Sequence, residues 1–593
     1  MKSNFSIILC IFFGLILMGC KKDFLDKRPY DQYSDEDVWK DLQLMQTFVN
    51  NIYYNIPHGF TELMLASVSD ESILTYDGGS SNVTKSLITP SDYFVFEVGN
   101  FIGVRTYKMS WDWVYKYVRA CNLFLQQAEK NTYEDPDLKN RLIGEAHFLR
   151  AYYYHNLVFL YGGIPIITEA YELDGDHLTA RNSFEECIDF IADECDKAAD
   201  LLPEIQEGNN RGRATKGAAL ALKSRVLLFA ASDLYHNPSW APGYAHPELI
   251  SYAGADRTGQ WRAARDAAKA VIDLNQYTLY KPDPSPGDDI AKNYQEIFLS
   301  KSTSEDIFYR SFIQASKISG YNPGLFNNPN GYFGFGGNTP VGQLVDAFEM
   351  KDGTLFSWNN PVQAAAPYEN REPRFYANIL YNGAKWRPRD PSGISQDPIG
   401  EIQTSFKQLP NGSYLGGLDT RSTTAYAQED GSYTGYYLRK FIDPNLNPQF
   451  YVQEWPWRFI RYAEVILNYA EACAELGEEV EARKYVNIIR KRAGLPDIAT
   501  SGQALRQSVR HERRIELMYE DQRFFDIRRW MIAPQVLSSD AMGIDIRYPL
   551  NATQPIYKQI PVRVRDWKDQ SYFMPIKLDE MNRNNLLIQN PLY

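Results

Sequence analysis

The feature that most constrains this chain is a series of apolar stripes with helical spacing, each closed by residues that end helices. The best defined stripe begins at Ser183-x-x-Glu186, the pattern of a capping box. Apolar residues then recur every three or four positions as far as Leu202, and Pro203 ends the pattern. The stretch therefore predicts an amphipathic helix whose apolar face packs against other helices.

Other stripes of the same kind predict further helices at 142–160, 215–231, 261–274, 466–476 and 486–493. The last two form a helix-turn-helix pair of roughly tetratricopeptide length. Such pairs bury their apolar faces only by stacking on one another. We therefore predict a mainly α fold with tetratricopeptide-like repeats, in which residues of about 35–275 and 456–530 form the scaffold. The alternative is an irregular helical fold of unrelated pairs.

The region of about 277–455, between the two helical parts, is rich in Gly, Asn, Pro and Tyr. Its run YNPGLFNNPNGYFGFGGNTP, residues 321–340, has too many turn residues to be a continuous helix. Long loops are usually functional or disordered, and the aromatic content argues against disorder. We therefore expect an ordered, loop-rich ligand-binding region here, with residues 57–110 similar in character.

The N-terminus predicts export. Ile7–Met18 is apolar but shorter than the about 20 residues that a transmembrane helix needs, so it suits a secretory signal. It ends in Leu-Met-Gly-Cys, which resembles the bacterial lipobox, and we expect cleavage after residue 19 and acylation of Cys20. Several acyl chains hold a protein on a membrane almost permanently. The alternative is a plain signal with a chance cysteine.

Composition excludes several classes of protein. The 593 residues carry a net charge of −12, with an isoelectric point near 5.3, which argues against nucleic-acid binding. Cys187 and Cys195 are eight positions apart on one predicted helix, about 12 Å, farther than the roughly 7 Å that a disulfide spans. We expect Cys121, Cys473 and this pair to be free core residues. No Cys/His cluster suggests a zinc site.

Catalytic signatures are missing from the sequence. There is no HExxH, no G-x-S-x-G elbow and no Walker loop, so we expect no catalytic residues and no cofactor. Asp288-Asp289 could bind calcium, but a solvated turn is the favoured interpretation. The charged block at 512–529 could form an anion site. We favour a helix with i,i+4 ion pairs, followed by a packed aromatic segment.

Several stretches together resemble one family. They are FLDKRP (24–29), HFLRAYYYHNLVFLYGGIPI (147–166), RATKGAALALKSRVLLFAAS (213–232), RYAEVILNYAEACAELG (461–477), VNIIRKRAGLP (486–496) and ERRIELMYEDQRFFDIRRW (512–530). With the lipobox, they are similar to the SusD/RagB family of Bacteroidetes surface lipoproteins. The resemblance covers nearly all of residues 20–593, as one SusD-like domain.

The resemblance implies a lipid-anchored protein on the outside of the outer membrane. It would capture poly- or oligosaccharide and deliver it to a SusC-like TonB-dependent outer-membrane barrel. The sequence leaves three alternatives open: a peptide-binding lipoprotein of the RagB kind, a tetratricopeptide scaffold that binds only proteins, and a surface glycan-degrading enzyme. Ordered loops rich in aromatic and amide side chains favour the saccharide, because sugar rings stack on aromatic rings and their hydroxyls need polar partners.

No family motif carries over the ligand-binding residues, so we predict them from the loops. The aromatic candidates are Tyr93, Phe94, Phe101, Tyr332, Phe333, Trp358 and Trp386. The polar candidates are Asp70, Arg105 and Asn338. Trp111, Trp113 and Tyr115, by contrast, lie in a predicted helix that resembles a family scaffold segment, and we expect them in the core.

Overall fold

The computed structural model describes residues 38–593, apart from 78, 93–99, 102–103, 106–108, 172–177, 253, 255, 314–321, 391–394, 396, 448 and 450–451, and apart from the side chains of residues 100, 101, 104 and 105. The predicted signal peptide, residues 1–19, and the predicted lipid anchor Cys20 lie outside the described residues. None of the described helices is long and apolar enough to span a membrane.

The helices are α1 Leu42–Tyr54, α2 Ser80–Thr84, α3 Trp111–Lys130, α4 Pro136–Tyr161, α5 Phe184–Leu201, α6 Lys216–Ala230, α7 Arg257–Asp273, α8 Ile290–Leu299, α9 Pro323–Asn327, α10 Gly342–Ala347, α11 Pro361–Ala365, α12 Pro373–Asn378, α13 Tyr462–Leu476, α14 Glu479–Arg492, α15 Gly502–Glu516, α16 Arg523–Arg529, α17 Ala533–Leu537 and α18 Leu578–Arg583. The strands are β1 Ser72–Leu74, β2 Asn100–Phe101, β3 Val104–Arg105, β4 Asp306–Arg310, β5 Asn338–Pro340, β6 Ile379–Leu380, β7 Phe406–Gln408, β8 Tyr414–Gly416, β9 Tyr437–Leu438, β10 Trp457–Arg461, β11 Ala541–Tyr548 and β12 Ile556–Arg563.

The long helices form one continuous stack. Each helix from α3 to α6 packs against the next in chain order, and α13 packs against α7 although a long loop-rich region separates them in the sequence. Helix α13 also contacts α14 and α15, which closes the stack. The prediction of a mainly α fold is confirmed.

The ends of these helices follow the local signals. Ser183 Oγ accepts from the Glu186 amide at 3.2 Å, and Glu186 Oε2 accepts from the Ser183 amide at 2.8 Å, so the capping box forms as predicted. Helix α4 ends at Gly162, whose φ of +78° suits glycine. A Cβ at Gly162 would lie 2.3 Å from the Leu249 carbonyl oxygen, which makes glycine necessary there.

The expected core residues are buried. Cys121, Cys187, Cys195 and Cys473 are free and buried, as predicted. Trp111 is buried as well, and Trp113 and Tyr115 pack on the core from partly buried positions.

Short strands fix the loop-rich region to the rest of the molecule. Strand β1 pairs antiparallel with β5, with Leu74 opposite Asn338, which joins the segment before α2 to the end of the 321–340 run. A four-stranded sheet in the order β12-β11-β7-β8 joins the region to the C-terminal part.

The charged block at 512–529 consists of buried ion pairs, but most of these do not have the expected i,i+4 spacing. Glu516 pairs with Arg374 at 3.1 Å, with Arg461 at 2.8 Å and with Arg492. Burial alone would raise the pKa of Glu516, but the three guanidinium groups outweigh it and hold the pKa well below its usual range. These long-range pairs join α15 to β10, α12 and α14. Because the charges are buried and paired with one another, the block does not form a surface anion site.

Candidate functional site

Several predicted ligand residues lie where the structure gives no side-chain position. Tyr93 and Phe94 lie outside the described residues. The backbones of Phe101 and Arg105 belong to the β2–β3 pair, in which Asn100 lies opposite Arg105, but their side chains are outside the described part. These four residues stay predictions.

Asp70 lies in the interior, and the expectation that it contacts ligand is corrected. Its Oδ1 accepts from Arg523 Nε at 2.7 Å, and its Oδ2 lies 3.1 Å from Arg514 Nη2. Burial alone would raise the pKa of Asp70, but the two guanidinium groups outweigh it and hold the pKa well below its usual range. Asp70 therefore joins the segment before β1 to α15 and α16.

Asn338 is likewise buried, where it ties two loops together, and this corrects its predicted role. Its Nδ2 donates to the Glu62 carbonyl at 2.9 Å and to Asn327 Oδ1 at 3.0 Å. Its Oδ1 accepts from the Met64 amide at 3.1 Å and from Ser67 Oγ at 2.8 Å. A side chain with every donor and acceptor used inside the fold has nothing left for a ligand.

Tyr332 and Trp386 are buried as well, against the expectation that they form a platform. The guanidinium of Arg389 lies 4.1 Å from the centre of the Tyr332 ring. Arg439 lies 5.5 Å from the Trp386 ring. Each ring thus packs against a cation inside the protein, and a sugar cannot reach it in this conformation.

Trp358 is half-buried and lies in a different part of the fold. Its Nε1 donates to Asp346 Oδ2 at 2.9 Å, and its ring lies 6.3 Å from that of Tyr557 on β12. Burial raises the pKa of Asp346 to about 6, although the bond from Trp358 opposes the rise. Among the predicted aromatic residues whose side chains are described, Phe333 is therefore the one that lies in the 321–340 run and is not buried.

Phe333 belongs to a cluster of aromatic side chains that the fold gathers from three separate loops. We define this cluster, the aromatic patch, as Tyr76, Phe326, Phe333, Phe335, Tyr426 and Tyr433. Tyr76 is 44% exposed, Phe335 36% and Tyr433 40%. Single exposed apolar residues are ordinary, but grouped exposed aromatic rings mark an interaction surface.

Ring contacts join four members of the patch in two pairs. Phe333 and Tyr426 meet edge to face with centroids 5.4 Å apart, and Phe326 and Phe335 lie 6.0 Å apart. These spacings fall in the range in which aromatic pairs attract one another. The first pair joins the loop at 326–335 to the loop at 421–433.

Asparagines hold the 321–340 run in shape beneath the patch. Asn330 Nδ2 donates to the carbonyls of Thr420 at 3.1 Å and Ala427 at 3.0 Å. The hydroxyl of buried Tyr437 lies 2.9 Å from Asn330 Oδ1. Gly336 has a φ of +49°, and a Cβ there would come within 2.3 Å of the Asp430 carbonyl oxygen. The amides and this glycine therefore bring the loop at 326–335 against that at 421–433.

Polar groups lie among the rings of the patch. The Tyr76 hydroxyl donates to Asp430 Oδ1, and burial raises the pKa of Asp430. Arg421 Nη1 donates to the carbonyls of Glu429 at 2.8 Å and Gly431 at 3.0 Å, and its guanidinium lies 4.0 Å from the centre of the Tyr433 ring. Arg421 Nε and Nη2 form no hydrogen bond with any described residue. The patch thus combines exposed rings with available donors and acceptors.

Sequence reasoning missed most of the patch. Tyr76, Phe326, Phe335, Tyr426 and Tyr433 were not predicted. Their one local signal is an aromatic residue set among Gly, Ser, Thr or Asn, as in NGYFGFGG and GSYTG. That signal also fits Tyr332, which is buried, so it does not by itself separate displayed rings from packed ones.

Metal binding finds no support in the described geometry. Asp289 caps α8 by accepting from the Lys292 amide at 3.0 Å, and Asp288 accepts from the Ser285 amide at 2.9 Å. The favoured interpretation of this pair as a turn agrees with these bonds. No group of three His, Cys, Asp or Glu side chains in the described ranges is placed to hold a metal ion.

Comparison with known proteins identifies the fold. The model of the SusD family matches residues 296–593, and a second model, described as starch-binding associating with outer membrane, matches residues 23–228. A SusD-like protein of Bacteroides fragilis NCTC 9343 superposes with a TM-score of 0.75 at 30% identity, covering 96% of this chain and 100% of its own.

Two further relatives are similar over most of their lengths. A SusD-like carbohydrate binding protein, also of Bacteroides fragilis NCTC 9343, superposes with a TM-score of 0.69 at 22% identity, covering 93% of this chain and 100% of its own. SusD-like protein P38 of Formosa agariphila is 21% identical over 546 residues, which is 90% of this chain and 93% of the relative.

Proposed function

The chain belongs to the SusD family, and we propose from this and from its aromatic patch that it is a saccharide-binding protein. The observation that carries the proposal is that Tyr76, Phe335 and Tyr433 are each more than a third exposed, on loops that hydrogen bonds within the fold hold together. A related structure is described as a carbohydrate binding protein, which supports the same ligand class.

The chemistry of the patch suits sugar rings. The C–H faces of a pyranose are apolar and cover an aromatic ring without stranding polar groups, while the ring hydroxyls need hydrogen-bond partners. Arg421 supplies donors beside Tyr433, and Asp430 supplies acceptors beside Tyr76. A binding surface built in this way recognises a saccharide without any chemical step, so we assign the chain a binding role rather than catalysis.

We further propose that Cys20 anchors the protein in the outer membrane and that it hands its ligand to a SusC-like TonB-dependent barrel. The lipobox-like Leu-Met-Gly-Cys supports the anchor. The family description of outer-membrane association supports the location. Co-purification of a barrel protein with the lipidated chain from detergent-solubilised outer membranes would test the partnership.

Affinity electrophoresis tests the ligand class. The lipid-free chain, residues 21–593, runs through native gels that contain single polysaccharides such as starch, laminarin, xylan, mannan or pectin. We expect one glycan to retard the wild type and to retard Phe335→Ala and Tyr433→Ala less. The matched control is Tyr414→Ala, because Tyr414 is 37% exposed, close to the 36% of Phe335, but lies on β8 outside the patch.

The outcomes separate the candidate functions. If Phe335→Ala and Tyr433→Ala are retarded as strongly as the wild type, the saccharide-binding function stands, but the aromatic patch is not the binding site. A chain that no glycan retards, but that binds peptides from a digest of a host protein, would favour the peptide-binding alternative instead.

A further inference from the structure

A second concave surface lies on the four-stranded sheet. A groove of about 750 Å³ opens between the β7–β8 hairpin and the turn after β11 at residues 548–552. Its volume falls within the roughly 300–1,000 Å³ that is usual for small-molecule sites. We call it the sheet groove.

The strand register places selected side chains on the groove side of the sheet. Lys407 lies opposite Leu415 in the β7–β8 pair and opposite Tyr548 in the β11–β7 pair. Paired residues point to the same face, and Ser405, two residues before Lys407, shares that face. All four residues line the groove.

A separate group of side chains lies on the opposite face of the same strands. Arg547 lies 4.8 Å from the Tyr414 ring and 5.9 Å from the Phe406 ring. These three side chains alternate with those in the groove, so they belong to the other face. Tyr414 therefore serves as an internal control for experiments on the groove.

Neutral hydrogen-bonding groups line the groove without partners in the protein. The side-chain amide of Gln403 and the hydroxyls of Ser405 and Tyr548 form no hydrogen bond with any residue that the structure describes. Asn382 uses its Oδ1 to accept from the Thr404 amide at 3.0 Å. Its Nδ2 likewise has no partner among the described residues. Gln408, by contrast, is used at the rim, where its Oε1 accepts from the Leu550 amide at 3.1 Å.

The groove carries one unpaired charge among neutral polar groups. Glu401 is paired with Lys385, which leaves Lys407 as the one formal charge among the groove-lining residues without an ion pair to a described residue. Apolar area comes from Leu415 and from the ring of Tyr548. Amides, hydroxyls and a ring around an almost neutral groove match the alternating hydroxyls and C–H faces of a sugar.

We propose that the sheet groove is a second saccharide site, one that holds a neutral oligosaccharide segment through Gln403, Ser405, Tyr548 and Asn382. This inference rests on the proposed saccharide-binding function. One chain segment links the two sites, because residues 415–418 line the groove and residues 421–433 contribute Tyr426 and Tyr433 to the aromatic patch.

Calorimetric titration of the lipid-free chain with maltohexaose, laminarihexaose, xylohexaose and mannohexaose separates the two sites. The patch variant is Phe335→Ala/Tyr433→Ala. The groove variant is Gln403→Ala/Tyr548→Phe, which removes two polar groups and keeps the Tyr548 ring that packs on the core. We expect the patch variant to keep saturable binding of one hexasaccharide.

Adding the groove changes to the patch variant should weaken this residual binding about tenfold or more, since each of the two lost hydrogen bonds is worth about 1 kcal/mol. Tyr414→Ala in the same background should leave it unchanged. Two results would overturn the proposal for the sheet groove alone. In the first, the groove changes leave the residual binding unaltered. In the second, the wild type binds a hexasaccharide but the patch variant binds none. A wild type that binds none of the four would count against the sheet groove and the proposed function together.

Discussion

Replacement of Asn338 distinguishes an anchoring residue from a ligand residue. The side chain forms four hydrogen bonds, to Glu62, Met64, Ser67 and Asn327. In Asn338→Ala, Ser67 Oγ keeps Ser72 at 2.8 Å, and Asn327 Oδ1 keeps the amide of residue 338 at 3.0 Å. The Met64 amide and the Glu62 carbonyl lose these bonds.

The structure sets the size of the effect. A buried polar group left without its partner costs about 1–3 kcal/mol, so the loss of these two bonds should lower the free energy of unfolding by roughly 2–6 kcal/mol. Asn338→Asp should be at least as harmful, because its carboxylate would face the Glu62 carbonyl where the amide now donates.

Urea unfolding followed by circular dichroism measures this difference. The control is Asn359→Ala, an exposed asparagine whose side chain makes no hydrogen bond to a described residue, and it should change the free energy by less than about 0.5 kcal/mol. If Asn338→Ala unfolds at the urea concentration of the wild type but loses saccharide affinity, the anchoring role is wrong and Asn338 is a ligand residue after all.

Two further stability predictions follow from buried charges. Arg461→Met removes the partner of Glu305, Glu516 and Glu520 and should cost about 3–5 kcal/mol in urea unfolding; an unchanged midpoint would contradict the buried network. The folded pKa of Asp346 is raised from 3.8 to about 6, so ionisation opposes folding, and wild-type stability should fall relative to Asp346→Asn as the pH rises from about 4 to above 6. The full loss of wild-type stability relative to Asp346→Asn is roughly 3 kcal/mol. Melting temperatures measured for both proteins across this pH range test it, and two parallel curves would refute the prediction.

Helices were predictable because their signals are local. The capping box at Ser183 and the stop at Gly162 act within a few residues, and both appear as expected. The stacking of α7 on α13 follows from apolar stripes that need a partner. The stripes do not predict which helix packs against which.

The site was harder to predict because exposure is decided by distant residues. Tyr332 and Phe333 are neighbours with the same local signal, yet Arg389 covers one ring while the other meets Tyr426 at the surface. Asp70 looks like a loop carboxylate until Arg523, far along the chain, is placed beside it. Neither contact can be predicted from the residues that lie near Tyr332 or Asp70 in the sequence.

The central claim is that the exposed rings of the aromatic patch hold the saccharide. Phe335 is 36% and Tyr433 40% exposed. With roughly 200 Å² of surface for each side chain, a bound sugar would cover up to about 70–80 Å² of each, worth up to roughly 2 kcal/mol per ring at about 25 cal/mol/Å². Losing both rings should therefore weaken binding by up to several hundredfold.

The most direct measurement is calorimetric titration of the polysaccharide that retards the wild type in gels. It is made on the wild type, on Phe335→Ala/Tyr433→Ala and on Tyr414→Ala. The account predicts wild-type affinity for Tyr414→Ala and a weaker affinity for the double variant, by up to several hundredfold, with unchanged melting temperatures. Equal affinity in all three proteins would contradict it.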